Sequence, residues 1–95
     1  MQKIEKEKNV EAYLVNRCRY LGGRAIKIQG AGNAGMPDRI CVFPNVTFFV
    51  ETKTTGQKLR KLQVSTITRL TREGHTVLVA DSKARVDQIL NNNVC

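Results

Sequence analysis

Apolar residues recur at Val10, Tyr13, Leu14, Cys18 and Leu21, the spacing of one helical face, and Gly22-Gly23 stops the pattern. The spacing predicts a helix over 10–21, with room to begin earlier in the Glu/Lys-rich segment after Gln2. Beyond it the period shortens to two. Arg24 to Gln29 reads as a short strand with Ile26 and Ile28 on one face. Asp38 to Phe43 (DRICVF) is β-branched and apolar, and Val46 to Lys53 (VTFFVETK) carries the strongest strand signal. Gly30 to Pro37 and Thr54 to Lys58 read as loops, and Pro44-Asn45 as a turn. A helical stripe returns within 59–73 at Leu59, Leu62, Thr66, Ile67 and Leu70, and Gly74 ends it. Thr76 to Ala80 (TVLVA) predicts a buried strand after the loop residue His75. Asp81-Ser82 can cap a last helix through Leu90, with Val86, Ile89 and Leu90 facing inward. The order α-β-β-β-α-β-α predicts an α/β fold, a mixed β-sheet with flanking helices. The third strand, its helix and the fourth strand suit a right-handed crossover.

Composition narrows the function. The 95 residues suit a single domain over 1–95, and 41% hydrophobic content supports a modest core rather than disorder. No apolar stretch is long enough to span a membrane, and the N-terminal MQKIEKEKN lacks the apolar segment of a signal peptide, so a cytoplasmic protein is expected. The three cysteines, Cys18, Cys41 and Cys95, are odd in number and widely spaced. They suit neither a disulfide framework nor a CxxC zinc site, and Cys18 and Cys41 read as small apolar filler. Sixteen Lys+Arg against 8 Asp+Glu give a formal charge of +8, which suggests a polyanionic partner, nucleic acid first. Without Trp, and with 5% aromatic residues, a surface that reads phosphates is favoured over a base-stacking platform.

Gly30, Gly32 and Gly35 match G-x-G-x-x-G after a strand, and Glu51 falls about where a ribose-binding acid would sit. That motif requires a helix to open at the glycines, because the helix N-terminus holds the pyrophosphate. Here Met36-Pro37-Asp38 leads into a strand, which excludes a dinucleotide site. The three glycines either let the backbone pass close to a nucleic-acid strand or form a mobile loop without contacts.

Three features converge on chemistry. A hairpin centred on Pro44-Asn45 sets Asp38 directly opposite Glu51 on one face, with Cβ atoms about 5 Å apart. Pro-Asn does not favour a type I′ turn, so a longer loop would shift this register. Two carboxylates at that distance repel unless a cation lies between them, and hard oxygen ligands suit Mg²⁺ or Mn²⁺. Lys53, two residues beyond Glu51, shares its face and can stabilise charge on a phosphate or orient an attacking water. Gln63 sits among the apolar positions of the next helix, where it either faces the metal site or is a satisfied helix-flank amide. Asp38 alone could be a strand-start residue, and Glu51 with Lys53 a solvated strand face. The run VTFFV before Glu51, however, reads as buried on both faces. Lys58, Arg60 and Lys61 form either a phosphate-contacting patch or a soluble helix terminus.

Pro37-Asp38, Glu51-Thr52-Lys53 and Gln63 together resemble the PD-(D/E)xK nuclease superfamily, with its restriction-endonuclease-like αβββαβ core. Gly35-Met36-Pro37-Asp38, the FVETK strand and the helix-borne Gln are similar to its VRR-NUC (virus-type replication-repair nuclease) family, whose stand-alone members occur in phages and bacteria. The resemblance implies a metal-dependent DNA endonuclease. Asp38, Glu51 and the backbone carbonyl of Thr52 would ligate Mg²⁺ or Mn²⁺. Lys53 would assist the nucleophilic water, and Gln63 would position Lys53 or that water. Family members carry a Glu in the first helix, which places Glu11 at the metal through water or at a second ion. Many have a Lys where Lys27 stands, implying a role beside the site. Stand-alone members resemble Holliday-junction resolvases, implying a homodimer acting on branched, four-way DNA. A flap, end or linear-duplex nuclease and a non-catalytic basic DNA-binding module are the alternatives.

Overall fold

In the computed structural model, which describes residues 3–29, 32 and 34–95, the order is the one the periodicities predict. Helix α1 spans Glu7–Tyr20, strands β1, β2 and β3 span Arg24–Lys27, Arg39–Phe43 and Val46–Thr52, and α2 spans Lys61–Arg72. Strand β4 (Val77–Ala80) and helix α3 (Lys83–Asn93) complete the chain. The sheet order is β1-β2-β3-β4, antiparallel across the first three strands and parallel between β3 and β4.

Local chemistry sets the boundaries. At the end of α1, Gly22 takes φ 90°, which lets the Gly23 N–H reach the Cys18 carbonyl and the Gly22 N–H reach that of Arg19. Helix α1 begins three residues before the expected start, because another segment caps it. Lys6 supplies no side-chain cap, and the Thr54 hydroxyl accepts the Glu7 N–H at 3.0 Å instead. Ser82 caps α3 as expected, accepting the Arg85 N–H at 3.0 Å, and the helix continues three residues past Leu90.

The hairpin between β2 and β3 keeps the register a two-residue turn at Pro44-Asn45 requires. Phe43 pairs with Val46 and Arg39 with Val50, so Asp38 and Glu51 are the next positions along the ladder. Among the described residues only glycines have positive φ, so the turn is not of the I′ type, and the register holds without it.

The apolar core lies on one face of the sheet. Cys41 and Phe43 of β2, Phe48 and Val50 of β3 and Ala80 of β4 meet Val10, Leu14 and Cys18 of α1 and Val86, Ile89 and Leu90 of α3. Each side chain of this size contributes about 1.5–3 kcal/mol on burial. Cys18 and Cys41 are unbonded thiols inside that core, with sulfurs 3.9 Å apart.

On the other face the picture differs from the expected buried stripe. Gln63 is the buried residue of α2, while Leu62 is 54% and Val64 48% exposed. Leu62, Thr66 and Leu70 line a groove of about 440 Å³ with Ala34 and Met36, so the apolar stripe faces the glycine loop rather than the core. No helix among the described residues is long and apolar enough to cross a membrane.

Candidate active site at the end of β3

Alternation along β3 sends Phe48, Val50 and Thr52 into the core and Phe49, Glu51 and Lys53 to the side of α2. Glu51, Thr52 and Lys53 are all buried, at 2%, 0% and 5% exposure, so three polar residues in a row need partners. Asp38 meets two of them. Its Oδ2 accepts the Thr52 hydroxyl at 2.7 Å and the Thr52 N–H at 3.0 Å, while its own N–H donates to Glu51 Oε1 at 3.1 Å. The Lys53 ammonium lies 3.6 Å from Glu51 Oε2.

Gln63 joins α2 to this cluster. Its Nε2 donates to Glu51 Oε2 at 2.8 Å, and its Oε1 accepts the Arg60 N–H at 2.9 Å, satisfying the first turn of α2. The amide therefore binds Glu51 directly rather than Lys53. The close approach of α2 depends on Gly35, buried beneath it with φ 82°. A Cβ there would come within 2.8 Å of Leu62 Cγ and Thr66 Oγ1. Gly35 thus packs inside the fold, whereas Gly32 is exposed. Gly30, the third glycine expected to approach nucleic acid, lies outside the described residues.

The electrostatics follow from the burial of Glu51 next to half-buried Asp38. Glu51 is raised to about 7, first by desolvation and then by repulsion from Asp38, with Lys53 opposing. Glu7, in the first turn of α1, is also raised, by burial and then by Asp38, while Lys53 and Arg60 pull it down. Glu7 thus lies in the field of this cluster, which sequence reasoning missed. Glu11, one turn later, instead meets Arg39 at 2.8 Å and Lys27 at 3.5 Å. Lys58, Arg60 and Lys61 are exposed around the start of α2. His75 stacks edge-on against Phe49 and meets no catalytic group.

The donor set fits a hard divalent cation. Two adjacent carboxylates offer oxygen lone pairs, and Mg²⁺ sites commonly use one or two carboxylates plus water and substrate phosphate. Among the described residues no group of three His, Cys, Asp or Glu side chains is placed to hold a metal ion.

Comparison with known proteins places this mixed sheet, with its acid pair, lysine and glutamine gathered at one strand end. The VRR-NUC domain profile matches residues 6–84. A protein of Acyrthosiphon pisum secondary endosymbiont phage 1 named "Putative nuclease p44" is 38% identical over 82 residues, spanning 85% of this chain and 88% of its own. A solved structure titled "VRR_NUC domain" superposes with a TM-score of 0.83 at 31% identity, covering 90% of this chain and 94% of that one. The chain belongs to the VRR-NUC family of nucleases.

Proposed function

We propose that the protein is a Mg²⁺- or Mn²⁺-dependent deoxyribonuclease that hydrolyses phosphodiester bonds at the Asp38–Glu51 edge. The observation that carries this reading is the juxtaposition of half-buried Asp38 and buried Glu51 beside Lys53. Asp38 and Glu51, with the Thr52 carbonyl, would hold the cation. Such a cation, when bound, lowers the pKa of a water and neutralises charge that builds on the phosphate in in-line displacement. The chain's own residues do the rest. Thr52 fixes the Asp38 carboxylate by two hydrogen bonds, and Gln63 fixes that of Glu51. Lys53 holds its ammonium at the edge of the site, where it stabilises phosphate charge or orients the attacking water. Lys58, Arg60, Lys61 and Lys27 supply cations for the DNA backbone, and Gly32 lets a strand pass close.

The substrate we favour is branched, four-way DNA, cut by a homodimer that presents two such edges to a symmetric junction. An end-labelled four-way junction, a flap and a linear duplex, each with Mg²⁺, Mn²⁺ or EDTA, separate the readings. Paired symmetric nicks that vanish with EDTA and in Asp38→Ala are expected. Cutting of flap or duplex alone would retain the chemistry and reject the junction. Binding without cutting in any metal would mark a DNA-binding module instead.

A further inference from the structure

Glu11 and Arg39 have no place in the chemistry above, yet both are held firmly beside it. Glu11 Oε2 accepts Arg39 Nε at 2.8 Å, and Arg39 Nη1 donates to the Ala25 carbonyl at 3.0 Å. The Glu11 side chain is 17% and that of Arg39 18% exposed, so solvent screens the pair only weakly. Lys27, 3.5 Å from the same carboxylate, is 52% exposed and remains at the surface.

These bonds connect the elements that carry the site's acids. Arg39 follows Asp38 at the start of β2, and its second bond ties it to β1. Glu11 lies on α1, so the same guanidinium also ties the start of β2 to that helix. The planar guanidinium meets Glu11 of α1 and the Ala25 carbonyl of β1 at once, in a fixed geometry. A lysine at 39 could not bond Glu11 and Ala25 at once, because it lacks the rigid fork.

We propose that Arg39 is a positioning residue of the active site: by gripping Glu11 of α1 and the Ala25 carbonyl of β1 it fixes the start of β2, and with it the neighbouring Asp38 carboxylate. Glu11 then acts through Arg39 and is not itself a ligand of the cation. The inference rests on the nuclease reading and is tested in a way that separates the two.

The test is a double-mutant cycle of Glu11→Ala, Arg39→Ala and the pair, with Arg39→Lys as the conservative variant. Each is read by kcat and KM for cleavage, by calorimetric Mn²⁺ binding without DNA, and by melting temperature. We expect both single variants to lose about 10- to 100-fold in kcat with KM little changed. The double variant should be no worse than either single, and Mn²⁺ affinity should fall equally in the two singles. Arg39→Lys, which keeps the charge and the fold, should recover only part of kcat. Loss of Mn²⁺ affinity in Glu11→Ala with a wild-type Arg39→Ala would make Glu11 a ligand and overturn the proposal. A lowered melting temperature with unchanged kcat would reduce the pair to a structural role and overturn it too. A wild-type protein that binds Mn²⁺ but cuts nothing would reject the nuclease reading, and unequal Mn²⁺ affinities of the two singles would then still refute the lock.

Discussion

The two faces of the sheet are built on different principles. Against α1 and α3 the sheet is dry: Val10, Leu14 and Cys18 from one helix and Val86, Ile89 and Leu90 from the other fill it with apolar volume. Against α2 the buried anchor is one amide, Gln63, bonded to the carboxylate of Glu51. Stability on the first face comes from area and close packing. Position on the second comes from a few directed hydrogen bonds, with acids kept close despite their repulsion. The contrast shows why the site stands where it does. A rigid apolar layer holds β2 and β3 in register, and the other side of the same strands can then tolerate charge.

The sharpest way to break this contrast is to remove an acid. Asp38→Ala should cost about 10³-fold or more in cleavage while the fold remains, checked by single-turnover kinetics and circular dichroism. A large loss of stability without loss of rate would put Asp38 among the packing residues. On the dry face, Leu14→Ala should cost roughly 2–5 kcal/mol by urea unfolding, because it opens a cavity in a fully buried layer.

The pH dependence of stability sharpens the electrostatic half. Glu51 has an ordinary value of 4.5 and is raised to about 7 in the fold, so the folded protein holds this proton more tightly than the unfolded chain. The contribution is fully present below pH 4.5 and is lost as the pH rises through 7, roughly 3 kcal/mol in the metal-free protein. Glu51→Gln should flatten that part of the melting profile. An unchanged profile would mean that burial and Asp38 do not set this acid. Gln63→Ala should cost about 1–3 kcal/mol, since it leaves Glu51 and the Arg60 N–H without their partner. Leu62→Ser, half-exposed on the same helix, should stay within about 0.5 kcal/mol.

Much of this was legible in the chain. The seven elements follow from their periods. Asp38 and Glu51 fall opposite each other because a two-residue turn fixes the hairpin register and alternation does the rest. The partners across longer distances were not legible. Glu7 and Glu11 occupy the same helical face, and periodicity cannot tell which turn of α1 meets β3. That depends on the Thr54 and Thr55 hydroxyls, which accept the N–H groups of Glu7 and Glu5 from a loop some fifty residues away. The stripe of α2 was visible, but its distance from the sheet was not. Gly35 and Gln63 set that distance through one close approach and one hydrogen bond.

The polar strand end, resting on an apolar layer, is the proposed cation-dependent hydrolytic site. The most direct test is cleavage of an end-labelled four-way junction as Mn²⁺ is titrated, with wild type beside Asp38→Ala. Nicks that appear with Mn²⁺ in the wild type, vanish with EDTA and are absent in Asp38→Ala at every concentration are expected. Equal cutting by both proteins, or cutting that survives EDTA, would contradict it.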